Sequence, residues 1–239
     1  MFITKEKPKS LSAEAYRSLR TSIKFSSVDK PIKTIVITSA LIGEGKSTVA
    51  GNLAYTLNQD GAKVLVIDCD LRKPSMHCNF SVSNEEGLTD VLAGSSDLKS
   101  VIKKIEGSLF LITAGTTSPN PAEILGSKAM EDLIKELYVD FDYIILDTPS
   151  VLPISDTLLL AAEADATLIV VKSRTVKSKI VKQSYEKLAS VKANVIGTVL
   201  NETDKALENK YYGSYEKGKK KNNKNKKSNK NVEENKHRG

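Results

Sequence analysis

The sequence predicts an α/β domain in which helices cover both faces of a mostly parallel sheet. Three observations predict this fold class. Apolar, β-branched runs alternate with stretches of helical periodicity, and the runs are apolar at successive positions, as in strands buried on both faces. In addition, a glycine-rich turn joins the first run to a helix. The chain, with 239 residues, is long enough for one such domain with extensions.

The elements follow each other in the order expected of an α/β sheet. Residues 1–10 are expected to form a mobile lead, and Ser12 to cap a helix that continues to about Ser26. The expected strands are the runs at 34–38, 63–67, 109–113, 143–146, 166–171 and 195–200. The expected helices between them are 47–59, 86–93, 97–105, 127–138, 156–163 and 176–190.

The positive charge of the chain lies in its C-terminal tail. Of the net charge of +7, residues 216–239 supply ten Lys/Arg against three Glu, which leaves 26 basic and 26 acidic residues elsewhere. The tail is rich in Lys, Asn and Ser, so we expect it to be disordered. It is interpreted either as a solubilising end or as a contact with anionic lipid. Nucleic-acid binding is not expected, because the folded part is neutral and the tail has no interleaved aromatic residues.

The compartment is predicted from what the sequence does not contain. No apolar run approaches the ~20 residues of a membrane-spanning helix. The first residues have no apolar signal-peptide core. Cys69 and Cys78 are the only cysteines, and they are expected to be ordinary reduced thiols. A soluble cytoplasmic protein is therefore predicted.

A phosphate-binding loop is predicted between the first strand and its helix. Residues 38–48 read Thr-Ser-Ala-Leu-Ile-Gly-Glu-Gly-Lys-Ser-Thr. Glycines let backbone N–H groups converge on phosphate oxygens, and the helix N-terminus adds its positive dipole end. Lys46 is placed for the β- and γ-phosphates and the Ser47 hydroxyl for Mg²⁺. Ala40 replaces the first glycine of the usual pattern, and a chance Gly-Lys-Ser at an ordinary helix start is the alternative.

Two further strands end in carboxylates. Asp68 and Asp70 follow one apolar run, and Asp147 follows another, just before Pro149. A phosphate-binding loop that uses ATP needs a strand-end carboxylate to hold Mg²⁺ and a group to orient or deprotonate the nucleophile. A single Asp after a strand would be unremarkable, since turns favour Asp. Two such ends beside the loop predict a P-loop NTPase that uses ATP and Mg²⁺.

These three sites resemble the Walker A, A′ and B motifs of the bacterial tyrosine kinases. These CpsD/CapB-like proteins accompany capsule and exopolysaccharide assembly, within the wider MinD/ParA-type superfamily. The similarity runs from about Ser10 to Tyr215, and its motifs lie at 43–48, 68–74, 120–121, 147–149 and 197–201. Ile42 and Ser150 depart from the family, which usually has proline at both positions.

Three features favour the kinase branch. Leu41 stands where partition-type ATPases carry a signature lysine. Glu14, Arg17 and Arg20 match the E-x-x-R-x-x-R helix by which the kinases are thought to form rings, although periodicity alone favours a solvated charged face. The third feature is a cluster at the family's site of autophosphorylation, which a random polar end would equally explain. Its members are Tyr211, Tyr212 and Tyr215.

The resemblance implies a role for each site residue. The implied ATP-binding residues are Gly43, Glu44, Gly45, Lys46, Ser47, Thr48 and Asn201. The implied catalytic residues are Lys46, Asp68, Asp70 and Asp147, and the implied Mg²⁺ ligands are Ser47, Asp70 and Asp147. Asp68 is preferred as the group that accepts the tyrosine proton, while Asp70 either supports Mg²⁺ or positions Asp68. Asn201 is expected to contact adenine.

The resemblance also implies the biological setting. It implies an autophosphorylating protein-tyrosine kinase that regulates polysaccharide synthesis and export. The kinase is expected to assemble as a homo-oligomer. A transmembrane activator of the polysaccharide co-polymerase type is expected to recruit it to the inner membrane face. A cognate tyrosine phosphatase is a further implied partner. The implied domains are an N-terminal lead with the oligomerisation helix (1–30), a kinase domain (31–210) and the tyrosine cluster with its tail (211–239).

The alternative is a ParA/MinD-like positioning ATPase, which would hydrolyse ATP with water and leave the tyrosines unmodified. Leu41 argues against it, as does the lack of an amphipathic C-terminal membrane helix.

Overall fold

In a computed structural model of the chain, seven strands of the described residues form one sheet with helices on both faces. The structure describes residues 2–27 and 30–203. The strands are β1 (Thr34–Ser39), β2 (Val64–Asp68), β3 (Lys103–Glu106), β4 (Leu109–Ile112), β5 (Tyr143–Asp147), β6 (Ala166–Lys172) and β7 (Val195–Asn201). They lie in the order β3-β4-β2-β5-β1-β6-β7, and only the β3–β4 pair is antiparallel. The predicted fold class is confirmed.

The helices of the described residues occupy the positions that connect these strands. They are α1 (Ile3–Glu6), α2 (Leu11–Phe25), α3 (Lys46–Gln59), α4 (Met76–Phe80), α5 (Leu88–Leu92), α6 (Leu98–Val101), α7 (Pro121–Leu125), α8 (Lys128–Asp140), α9 (Asp156–Glu163) and α10 (Ser178–Ser190). None of them combines the length and the hydrophobicity that a membrane-spanning helix needs.

Each face of the sheet has its own apolar core, because successive strand residues point to opposite sides. Ile35 and Ile37 of β1 pack against α2, α3 and α4, whereas Val36 packs into the core that α5–α10 cover. The central strands are buried along their whole length, which explains their continuous apolar sequence. Residues through Asn201 form one compact unit.

The N-terminal residues pack on α3, so the expectation of a mobile lead at 1–10 was wrong. The Phe2 ring is buried with its centroid 5.3 Å from that of Tyr55. The Thr4 backbone N–H and hydroxyl both donate to Oδ1 of Asn52 at 3.0 Å. These contacts fix the first residues to the helix that follows the phosphate-binding loop.

Two expected boundaries also differ from the structure. Helix α2 is capped by Ser10 rather than Ser12, because the Ser10 hydroxyl accepts from the Ala13 N–H at 3.1 Å. The helix expected at 97–105 ends at Val101, and an antiparallel edge strand follows. Lys104 and Glu106 are exposed on this short edge while Ile105 packs inward, and charged residues at an edge discourage strand addition.

The C-terminal predictions lie outside the described residues. They are Tyr211, Tyr212, Tyr215 and the Lys/Asn-rich tail.

Candidate nucleotide-binding and catalytic site

The sheet order brings the three predicted motifs to one edge. Strands β2, β5 and β1 are consecutive and parallel, so their carboxyl ends meet. Asp68 and Asp147 are register partners at the ends of β2 and β5. The loop after β1 leads directly into α3, which begins at Lys46. The crevice at the carboxyl ends of the strands is where such folds bind ligands.

The P-loop (residues 40–47) has the backbone that phosphate binding requires. Gly43 and Gly45 have φ angles of 83° and 87°, a region that side chains other than glycine disfavour. Gly45 is the N-cap of α3, a helix of 14 residues. The free N–H groups of its first turn and its dipole therefore face the end of the P-loop.

Lys46 is almost buried at the start of α3, 9% exposed. Its Nζ lies 3.5 Å from the Ser150 hydroxyl. Its charge also acts on two carboxyls, since it lowers the pKa of Asp70 and of Asp147 against the effect of burial. The ammonium group thus belongs to the same electrostatic cluster as the strand-end carboxylates.

Asp147 is a buried carboxylate without a hydrogen-bond partner among the described residues. Both of its oxygens are inaccessible and unpaired. Burial and then the neighbouring Asp68 raise its pKa well above the ordinary value, while the Ser47 hydroxyl and Lys46 oppose that rise. An orphaned carboxylate beside a hydroxyl, at a P-loop, fits a divalent cation.

No group of three His, Cys, Asp or Glu side chains in residues 2–27 and 30–203 could hold a metal unaided.

Asp68 is fully buried and accepts three backbone hydrogen bonds. Ser75 and Met76 donate to Oδ2 at 3.0 and 2.9 Å, and Asp70 donates to Oδ1 at 3.2 Å. Burial outweighs these bonds and raises the pKa of Asp68 to about 6. Burial likewise raises the pKa of Asp70, which is only half-buried and accepts from the Lys73 N–H at 3.0 Å. A carboxyl with the pKa of Asp68 can accept a proton near neutral pH, as a general base does.

The side chains of Glu44 and Asn201 contact the protein itself. The Glu44 carboxylate accepts from the Leu41 N–H at 2.6 Å and from the Lys172 N–H at 3.0 Å. Asn201 Nδ2 donates to the Glu44 carbonyl at 2.9 Å. Any contact of Glu44 with a nucleotide would therefore use its backbone. The adenine contact of Asn201 stays a prediction.

Ser47 and Thr48 lie on the first turn of α3. The Ser47 hydroxyl accepts from the Ser75 hydroxyl at 2.9 Å, and Thr48 is exposed on the first turn of α3.

Sequence reasoning missed several residues that shape the site. The Arg72 guanidinium binds the buried Asp156 carboxylate in a bidentate manner, at 2.8 and 3.1 Å, and so joins the loop after β2 to α9. Ser75 contacts both Ser47 and Asp68. A buried Asp at a helix start is a weak sequence signal for the first pair, and no sequence pattern identifies Ser75.

The three residues predicted at an oligomer interface make contacts within the chain. Arg17 pairs with Glu14, Nε to Oε2 2.7 Å, and donates to the Pro8 carbonyl at 2.9 Å. Arg20 pairs with Asp60 at 3.1 Å and so fastens α2 to the end of α3. The side chains of Arg17 and Arg20 remain 34% and 22% exposed. Their role between copies stays a prediction.

Comparisons with known proteins show which proteins this chain is similar to. Residues 32–201 match a family model described as an AAA domain. The tyrosine-protein kinase YwqD of Bacillus subtilis (strain 168) is 41% identical over 215 residues, 89% of this chain and 91% of that protein. The putative tyrosine-protein kinase CapB of Staphylococcus aureus is 33% identical over 211 residues, 88% and 92% of the two chains. The crystal structure of the chimerical protein CapA2B2 aligns with a TM-score of 0.82 at 36% identity, covering 84% of this chain and 89% of that one.

Proposed function

The chain belongs to the bacterial tyrosine-protein kinases, and we propose that it transfers the γ-phosphoryl group of ATP to protein tyrosines, its own included, to regulate capsular or exopolysaccharide synthesis. The observation that carries this proposal is the unpaired, buried Asp147 carboxylate next to Lys46 and Ser47 at a helix N-terminus. Such an arrangement suits a nucleotide triphosphate with its cation.

Different residues of the chain would have different roles in phosphoryl transfer. Backbone N–H groups of the P-loop hold the phosphates, and the Lys46 ammonium neutralises the charge that develops on them. Ser47 and Asp147 would hold Mg²⁺, with Asp70 nearby. The ion, when bound, screens the charge of the β- and γ-oxygens.

Asp68 would accept the proton of the tyrosine hydroxyl. A carboxylate has about four acceptor positions, and backbone N–H groups take three of them, so one is unused. A tyrosine would reach it only if the residues that cover Asp68 move. The alternative is Asp70, which is more accessible. Comparing the pH dependence of kcat at saturating ATP in Asp68→Asn and Asp70→Asn separates the two, because replacing the base removes the fall of kcat at acidic pH.

The experiment that tests the kinase is intact-mass spectrometry of the protein with Mg·ATP, with an activating adaptor peptide included. We expect increments of one phosphate each, absent from Lys46→Met and from a Tyr211/Tyr212/Tyr215→Phe variant. ATP turnover without phosphate on the protein would contradict the kinase and favour the positioning ATPase.

The partners are further parts of the proposal. The exposure that remains on Glu14 and Arg17 supports a ring built through α2. A transmembrane activator would recruit the protein to the inner membrane face, and a cognate phosphatase would reverse the modification. Light scattering should report smaller assemblies for a Glu14→Ala/Arg17→Ala variant. Pelleting with anionic vesicles that is unchanged by deletion of 216–239 would contradict a lipid contact of the tail.

A further inference from the structure

One acidic side chain of the P-loop is directed into the protein rather than toward phosphate. Glu44 is 2% exposed, and its two carboxylate oxygens accept from two backbone N–H groups that belong to different elements. Leu41 lies in the P-loop itself, and Lys172 is the last residue of β6, the strand beside β1. The side chain thus bridges the loop and the end of the neighbouring strand.

We propose that Glu44 is a positioning residue that holds the P-loop in its ATP-binding conformation, and that this role requires a carboxylate. The inference rests on the proposed function insofar as ATP is the ligand. Glu44 does not touch the reacting atoms; it acts through the backbone of the loop.

The chemistry of the bridge explains why the residue is Glu. Both contacts are made by donors, so both side-chain oxygens must accept. Gln offers one acceptor and one NH₂ donor, which would leave an NH₂ group facing an N–H. Asp has both acceptors but is shorter by one methylene. The Glu44 side chain is buried, so an NH₂ group that faces an N–H there loses a hydrogen bond, while the two backbone N–H groups are only partly buried.

The bridge spans the most permissive part of the loop. Gly43, with its φ of 83°, lies between Leu41 and Glu44, so the Leu41–Glu44 bond closes the turn around it. The Glu44 carbonyl is held in addition by Asn201 at the end of β7. Two neighbouring strands therefore fix the same residue, through its side chain and its backbone, just before the first turn of α3.

The expected defect is one of nucleotide binding. Asp68 and Asp147 end β2 and β5, on the other side of β1, whereas the Glu44 carboxylate binds the N–H groups of Leu41 and Lys172. Losing one hydrogen bond at the bridge should weaken ATP and ADP binding about tenfold. The value of kcat at saturating ATP should fall less than about threefold.

The test compares Glu44→Gln with Glu136→Gln, which removes the same charge from an exposed position on α8. Calorimetry gives the affinities for ATP and ADP, and autophosphorylation gives KM and kcat. Amide exchange without nucleotide reports on the bridge directly. We expect at least one of the Leu41 and Lys172 amides to exchange about tenfold faster in Glu44→Gln, and the control to match the wild type.

Several results would overturn the proposal. Unchanged affinity together with unchanged exchange would do so, as would a lower melting temperature with an unchanged KM for ATP. If Glu44→Gln does not fold, exchange in the wild type decides, because fast exchange of both amides excludes the bridge. A wild-type protein that binds no ATP would refute the proposed function, while the exchange comparison would still decide whether Glu44 fixes the loop.

Discussion

The two sides of the P-loop differ in how their polar groups are satisfied. Toward β6 and β7, Glu44 and Asn201 have partners, and they tie the loop to the strand ends. Toward β5 and β2, the Asp147 carboxylate has no hydrogen-bond partner in the described part of the chain. Asp68 keeps a raised pKa there despite three N–H donors. The side toward β6 and β7 is thus held by hydrogen bonds within the protein, and the side toward β5 and β2 brings buried carboxyl groups together.

This difference separates residues that hold the P-loop in place from residues that would act in catalysis. The side toward β6 and β7 is called the supporting side, and the side toward β5 and β2 the acidic side. Bonds on the supporting side contribute to stability and fix the geometry of the loop. Buried carboxylates on the acidic side lower stability, as groups kept for function commonly do. Substitutions on the side of β6 and β7 should therefore weaken nucleotide binding and lower stability. Substitutions on the side of β5 and β2 should lower catalysis and raise stability.

Asp147→Asn should have the largest effect. Without the carboxylate that would hold Mg²⁺, autophosphorylation should fall at least about a hundredfold. The melting temperature of the nucleotide-free protein should rise by about 2–6 °C, because the amide replaces a buried carboxyl whose raised pKa lowers the stability of the folded state near neutral pH. Phosphate incorporation and a thermal unfolding scan measure the two effects.

The control for this change is Asp140→Asn, an exposed position at the end of α8, where both quantities should stay at their wild-type values. A lower melting temperature for Asp147→Asn would mean that the carboxylate has stabilising partners and that the acidic side is not strained.

The stability of the metal-free protein should depend on the protonation of Asp68. Its pKa is about 6 in the folded protein against an ordinary 3.8. Between these values the folded state binds more protons than the unfolded state, so the free energy of unfolding falls as pH rises from about 4 to about 6. About two pKa units correspond to about 3 kcal/mol. Urea unfolding across this range, with Asp68→Asn as reference, measures the difference.

Asp147 interacts with Asp68, so the same measurement belongs in the Asp147→Asn background as well. A wild-type protein that gains stability relative to Asp68→Asn as pH rises would reverse the sign and contradict a raised pKa.

The parts of the site that the sequence predicted depend on local patterns. Lys46 follows a glycine-rich turn, and Asp68 and Asp147 each end an apolar run. Because parallel strands present their carboxyl ends at one edge, these local patterns were enough to bring the three residues together. The fold class followed from the same alternation of strands and helices.

The parts that the sequence could not predict depend on distant backbone groups. Glu44 binds the N–H of a residue 128 positions away, and any non-proline residue would supply that donor. In the same way, the backbone N–H of Thr4 donates to the Asn52 side chain, which is 48 positions away in the sequence. The edge strand β3 was not predicted, because its four residues, Lys-Lys-Ile-Glu, have no strong strand pattern.

Gly45→Ala should break the supporting side. A Cβ at this position would lie 2.1 Å from Asn201 Nδ2, and the φ of 87° is strained for alanine. We expect ATP affinity to fall about tenfold and the free energy of unfolding to fall by about 2 kcal/mol. Gly61→Ala is the matched control, since its φ is 94° but open space surrounds its Cβ. It should lose stability alone.

Asn201→Ala should lower stability less in the Gly45→Ala background than in the wild type, because the clash at Gly45→Ala has already disturbed the bond from Asn201 to the Glu44 carbonyl. Equal losses in Gly45→Ala and Gly61→Ala would show that the contact between Gly45 and Asn201 contributes nothing.

Ser150→Ala should have the smallest effect on ATP binding. The Ser150 hydroxyl lies between the two sides of the P-loop and is tightly bound to neither. The distance from Lys46 Nζ to the Ser150 hydroxyl, 3.5 Å, is at the limit of a hydrogen bond, and Ser39 also contacts that hydroxyl at 3.1 Å. Steady-state kinetics should give a KM for ATP within about threefold of the wild type and of the exposed control Ser190→Ala. A tenfold loss would mean that Ser150 positions the lysine, and that the hydroxyl found here in place of the family's usual proline supports the site.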